Sequence, residues 1–142
     1  MFKKNVISII IPYHKKKNFF KETIESINKQ SYKNFEVIII YDDIDKLELE
    51  FVKKILKKSK FKKKLLVNKK IIGAGLSRNK GIKVSKGEFI AFCDADDLWN
   101  KDKLKIQLNF MKKENILFSH SNYLIIDNAS KKIGNLEVPK NI

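Results

Sequence analysis

A single cysteine, Cys93, leaves no partner for a disulfide and no thiolate cluster for a metal anywhere in this chain of 142 residues. A reducing, cytoplasmic setting is the expectation that follows. No apolar run approaches eighteen residues, which excludes a spanning helix. The opening Met1-Phe2-Lys3-Lys4-Asn5 leads into a short apolar stretch, and Pro12 is followed by lysines rather than small residues, which argues against a signal peptide. Arginine is almost missing: Arg78 stands alone, and basic and aromatic residues are not interleaved. A nucleic-acid partner is therefore not expected, despite a net charge of +15. The lysines, in runs such as Lys15 to Lys17 and Lys62 to Lys64, belong either to a solvated surface or to a face that meets an anionic membrane. Internal repeats and flexible linkers are absent too, and the length suits a single domain over residues 1–142.

What is present is an alternation of strand and helix. Val6 to Ile11 is a nearly continuous β-branched run, the pattern of a strand buried on both faces, with Pro12 expected to end it. Phe20, Ile24 and Ile27 recur at helical spacing. A second buried strand covers Phe35 to Tyr41 and stops at Asp42-Asp43, and a second helix is marked by Leu49, Val52, Ile55 and Leu56. Leu65 to Val67 is a short third strand. Gly73 and Gly75 punctuate the turn into a third helix, roughly Leu76 to Val84, and Gly87 closes the turn after it. Glu88 to Cys93 reads as a fourth strand, Leu104, Leu108 and Met111 as a fourth helix, Ile116 to Ile126 as a last strand-like region and Asn128 to Gly134 as a turn. Such alternation predicts an α/β domain with a mainly parallel sheet. Its ligand crevice lies beyond the carboxyl ends of the strands. Those ends carry Pro12-Tyr13-His14, Asp42-Asp43 and Asp94 to Asp97.

Three carboxylates in the four residues Asp94-Ala95-Asp96-Asp97 repel one another, and burial would raise their pKa values. Two arrangements relieve this. A hard divalent cation, magnesium or manganese, takes such oxygen ligands and also grips a diphosphate. The alternative is an exposed acidic turn that caps the helix beginning near Lys101.

The segments Val6-Ile7-Ser8-Ile9-Ile10-Ile11-Pro12 and Gln30 to Asp43 resemble the opening of family 2 glycosyltransferases, and Ser77 to Ile82 with Lys86 to Trp99 is similar to that family's central block. Order and spacing agree, up to about Ile126. The resemblance implies a GT-A fold, Rossmann-like and truncated, which binds a nucleotide diphosphate sugar, a UDP-sugar for choice, through Mn2+ or Mg2+. A glycan or lipid-linked acceptor in surface polysaccharide synthesis would receive the sugar. By the same resemblance Asp42 accepts from the imide N–H of the base, and Pro12, Tyr13 and His14 lie where the first strand meets the base. Arg78 pairs with a phosphate or braces the acidic cluster, Asp94 completes that cluster, and Asp96 and Asp97 are the metal and ribose carboxylates.

The chain departs from the family where His14 and Lys15 replace tyrosine and asparagine, and where Ile44-Asp45 replaces glycine-serine. The family's acceptor-binding half carries the proposed general base. Asp127 and Glu137 are the acidic residues near the end here, and neither stands in such a motif. No base is assigned, and the isolated chain is expected not to turn over. Two rivals remain. A sugar nucleotidyltransferase would open with a glycine-rich loop, which Pro12-Tyr13-His14-Lys15 lacks. The other is a nucleotide-binding or membrane-associated module without catalysis.

Overall fold

The computed structural model describes residues 2–136, which fall into two compact units divided after Leu104. The first unit is built on a four-stranded parallel sheet in the order β3-β2-β1-β4, with β1 at Lys3–Tyr13, β2 at Phe35–Tyr41, β3 at Lys62–Val67 and β4 at Gly87–Phe92. Helices α1 (Lys17–Asn28), α2 (Lys46–Lys57) and α3 (Ala74–Val84) make the crossovers. Ile9, Ile10, Ile11 and Val37 to Ile40 are buried in the two central strands, as their unbroken β-branched sequences predict for strands covered on both faces. α1 turns Phe20, Thr23, Ile24 and Ile27 inward, and α2 turns Val52 and Leu56.

α3 sits on the sheet through small residues, Ser77 and Gly81. A Cβ at Gly81 would lie 2.5 Å from Ile10 Cγ2 and 3.0 Å from Ile40 Cδ1, so the helix approaches β1 and β2 at a distance no larger residue permits. α3 begins after Gly73, whose φ of +87° is a left-handed conformation that glycine adopts without strain.

β1 is longer than its β-branched core, and Pro12 does not end it. Pro12 pairs in register with Ile40 of β2, and the strand runs on to Tyr13. The pairing with β4 stops at Ile10 and Phe92, so the missing Pro12 N–H removes no bond from that ladder. Likewise Gly87 opens β4 instead of closing a turn. A Cβ there would meet the Ser8 nitrogen and the Val6 oxygen at 2.7 Å.

The second unit comprises the greater part of α4 (Lys103–Lys113) and a two-stranded antiparallel sheet, β5 (Tyr123–Ile126) with β6 (Lys132–Leu136). The expected strand over Ile116 to Ile126 is thus confined to its last four residues. The expected turn over Asn128 to Gly134 is also tighter. Asp127 Oδ1 accepts from the Ala129 and Lys131 N–H groups at 2.9 Å each, so the reversal is complete by Lys131 and β6 starts at Lys132. Glu137 lies outside the described residues.

Candidate functional site

The strand order reverses between β1 and β4, because β2 and β3 lie to one side of β1 and β4 to the other. In open α/β sheets the crevice at such a reversal, beyond the carboxyl strand ends, is the ligand site. Pro12 to His14 leave β1 there, and Cys93 to Asp97 leave β4. The two exits are tied together by the Cys93 N–H, which donates to the Ile10 oxygen at 3.1 Å.

Beyond β4 the chain makes a turn in which the Asp97 N–H donates to the Asp94 oxygen at 3.1 Å. Asp94 and Asp96 each face a cation. Arg78 Nη2 of α3 lies 2.6 Å from Asp94 Oδ1, and Lys16 Nζ, just before α1, lies 2.6 Å from Asp96 Oδ2. The carboxyl pKa of Asp97 is raised, first by desolvation and then by the charges of Asp94 and Asp96, with Lys103 opposing. Burial likewise pushes the Cys93 thiol up, reinforced by Asp97 and Asp94. The acidic turn does not cap α4. Asn100 serves the start of that helix, its Oδ1 accepting from the Asp102 N–H at 3.0 Å and its carbonyl from the Lys103 N–H at 3.0 Å.

The turn is held from α1. Thr23 Oγ1 donates to the Ala95 oxygen at 3.0 Å, and Ser26 Oγ accepts from the Trp99 N–H at 3.2 Å. Gln30, fully buried, donates to the Asn100 oxygen at 2.7 Å and accepts from the Leu104 N–H at 3.2 Å. Thr23 and Ser26 lie on one face of α1, and Gln30 follows just beyond its C-terminal end. Hydrophobic periodicity passes over all three.

At the end of β2, Asp42 is buried and holds the loop that leads into α3. Its Oδ1 accepts from Asn68 Nδ2 at 2.8 Å and the Ile72 N–H at 2.9 Å, and its Oδ2 from the Gly73 N–H at 2.7 Å. Burial pulls its pKa upward, but these bonds and the neighbouring His14 win, and the carboxyl titrates below its ordinary range. Asp43 is buried beside it and also lowered, since the Asp45 and Ile44 N–H groups, His14 and the Lys15 N–H outweigh burial. His14, with its side chain 44% exposed, places Nδ1 2.8 Å from the Asp42 carbonyl oxygen and 3.3 Å from Asp43 Oδ2.

Tyr13 is not at the surface with His14. Its ring is fully buried, stacked on Tyr41 with centroids 5.4 Å apart and edge-on to Phe20 at 4.9 Å, and its hydroxyl donates to Glu48. Burial and that carboxylate push the phenol far up. It supports the end of β1 from behind. Sequence reasoning gave no site role to Lys16 or Asn68, and named Asp43 only as part of the end of β2. Asn68 follows β3 directly, is buried, and also receives a bond from Lys80 Nζ at 2.6 Å. The rule that picked out the other strand ends applies to β3 as well. Lys16, one of three consecutive lysines, carried no distinguishing signal.

A parallel α/β sheet with carboxylates and cations gathered at its reversal defines the class: a Rossmann-like domain of the GT-A type. The chain belongs to Glycosyl transferase family 2, whose sequence pattern matches residues 8–137. It is 38% identical over 137 residues to an Escherichia coli protein, the UDP-Glc:alpha-D-GlcNAc-diphosphoundecaprenol beta-1,3-glucosyltransferase WfgD, covering 96% of this chain and 53% of that one. It is 42% identical over 127 residues to an uncharacterized glycosyltransferase of Rickettsia felis, covering 89% of this chain and 21% of that one. Among solved structures, Staphylococcus aureus TarS 1-349 in complex with UDP-GlcNAc superposes with a TM-score of 0.69 at 28% identity, over 77% of this chain and 32% of that one. The chain thus spans about half or less of the length of these relatives.

Proposed function

We propose that this chain is the donor-binding portion of a glycosyltransferase that takes a UDP-sugar and serves transfer to a lipid-linked or glycan acceptor. The carrying observation is the pair of cation–carboxylate contacts, Arg78 with Asp94 and Lys16 with Asp96, at the β1/β4 reversal. A diphosphate arriving there finds two cations within reach of its oxygens and carboxylates for a bridging metal. The relatives support the donor and acceptor classes: TarS was solved with UDP-GlcNAc, and the E. coli protein is named for UDP-glucose and a diphosphoundecaprenol acceptor.

In this reading Asp42 Oδ2, which carries a single bond from the Gly73 N–H, keeps a lone pair for the imide N–H of a uracil base. The exposed His14 ring flanks the base, and Pro12 shapes the strand end beneath it. Arg78 and Lys16 exchange a carboxylate for a phosphate oxygen when donor binds.

Among the described residues no three His, Cys, Asp or Glu side chains gather as a ready-made metal cage. The donor set nevertheless suits Mn2+ or Mg2+, which take one or two carboxylates and complete their shell with phosphate oxygens and water. Asp96 and Asp97 would hold the ion, and Asp97, whose charge is penalised by its neighbours, gains most from it. Such an ion stabilises negative charge on a departing diphosphate. The chain's own residues orient the donor so that an acceptor hydroxyl attacks the anomeric carbon in line with the leaving nucleotide diphosphate. The base that takes the hydroxyl proton is not assigned to any residue here, and the isolated chain is expected to bind donor without transferring sugar.

Calorimetry with UDP-glucose and UDP-GlcNAc, with and without manganese, tests the reading. Metal-dependent binding that Asp96→Asn removes supports it. Binding indifferent to chelator and to Asp96→Asn contradicts it.

A further inference from the structure

The stretch Phe51 to Gly87 contains fourteen of the chain's 31 basic residues and none of its 16 acidic ones. The remaining 17 basic residues nearly cancel those 16, so this stretch carries almost the whole net charge of +15. It folds into the second half of α2, the edge strand β3, the loop behind it, and α3. All thirteen of its lysines are exposed. Lys53 pairs with Glu50 and Arg78 with Asp94, both carboxylates lying outside the stretch.

Lysines on an edge strand discourage pairing with another sheet, and this accounts for Lys62, Lys63 and Lys64. It does not account for the lysines of α2, the loop and α3, nor for what stands among them. α3 packs inward through Ser77 and Gly81 and leaves Leu76 58% and Ile82 40% exposed, with Lys80 and Lys83 beside them lining one shallow depression. In the loop before it, Ile71 is 47% exposed and follows Lys69 and Lys70. A helix that hides its small residues and shows its large apolar ones among lysines is suited to the boundary between water and lipid, where ammonium groups meet phosphates and branched side chains enter the acyl edge.

We infer that the face formed by α3 and the loop before it docks on an anionic bilayer surface. The occupant is set by charge complementarity and by the apolar groups inside the basic field. A nucleic acid would be met instead by arginines and stacked aromatics. The inference deepens the proposed transfer to a lipid-linked acceptor, since it would keep the donor site close to the membrane. Its test contains no nucleotide, so its failure is distinct from a failure of the donor reading.

The full chain is floated with vesicles of phosphatidylcholine containing about one phosphatidylglycerol in three, and with phosphatidylcholine alone. Binding is expected to the anionic vesicles, falling steeply between about 0.05 and about 0.5 M salt. Changing Lys69→Glu, Lys70→Glu and Lys83→Glu together, on exposed positions of the loop and α3, is expected to lower the partition coefficient by at least about 100-fold. Lys3→Glu, Lys4→Glu, Lys29→Glu and Lys33→Glu together, on exposed positions outside the stretch, are expected to lower it about tenfold or less. Equal losses in the two variants, equal binding to both vesicle types, or displacement from vesicles by a lower concentration of polyuridylic acid would each overturn the inference. Should circular dichroism show the first variant unfolded, Leu76→Ser with Ile82→Ser replaces it. A severalfold weaker binding then supports the inference, and an unchanged one contradicts it.

Discussion

Asp42 and Asp97 both follow the end of a strand, yet their surroundings drive their protonation in opposite directions. Asp42, with three hydrogen bonds and His14 nearby, titrates below the ordinary carboxylate range, and Asp43 does the same. Their folded-state pKa values are depressed, so the stability they contribute is complete above the unfolded value of about 3.9 and is lost as pH falls toward the folded values. Urea unfolding between pH 6 and pH 3 is expected to show this loss, and Asp42→Asn to flatten it and to cost about 1–3 kcal/mol at neutral pH. Asp97 is raised, so its charge disfavours the folded state above its pKa and the strain is relieved as pH falls through it. Asp97→Asn is therefore expected to raise Tm at neutral pH by a few degrees at most while weakening metal-dependent donor binding, measured by scanning fluorimetry and calorimetry on the same sample. A rise in stability with a loss of binding is the mark of a residue kept for its ligand.

The elements that carry these residues were largely legible. The β-branched runs located β1 and β2, and apolar periodicity located α1 and α2, because both patterns record burial directly. α3 was located by its glycines, but not its inward face. It packs through Ser77 and Gly81, and small residues leave no trace in a hydrophobic pattern. Gly81→Val is accordingly expected to destabilise by about 1–3 kcal/mol in chemical denaturation, because its side chain would occupy the space of Ile10 and Ile40. The acidic turn was equally visible, whereas its support was not. Thr23, Ser26 and Gln30 act through hydrogen bonds to a segment some seventy residues away, which no local spacing encodes. Gln30→Leu is expected to cost about 1–3 kcal/mol, since it strands the buried Leu104 N–H while preserving volume. Tyr13 teaches the converse. Its place in a strand-end motif suggested contact with a base, and its ring is buried, stacked on Tyr41 and edge-on to Phe20.

At the scale of the whole molecule, the sheet order, the reversal at β1/β4 and the family membership agree on a GT-A fold of Glycosyl transferase family 2. The chain spans 53% of the E. coli glucosyltransferase and 32% of the TarS chain. Binding and transfer are therefore separate expectations, and the first is central. Titration of UDP-GlcNAc and UDP-glucose into the chain by calorimetry, in manganese and then in chelator, measures it most directly. The account predicts binding of at least one donor in manganese, weakened tenfold or more by chelator, by Asp96→Asn and by Arg78→Ala, on the order of the 1.4 kcal/mol or more that such charged contacts supply. Absence of binding to either UDP-sugar in manganese, or binding that all three changes leave intact, would contradict it.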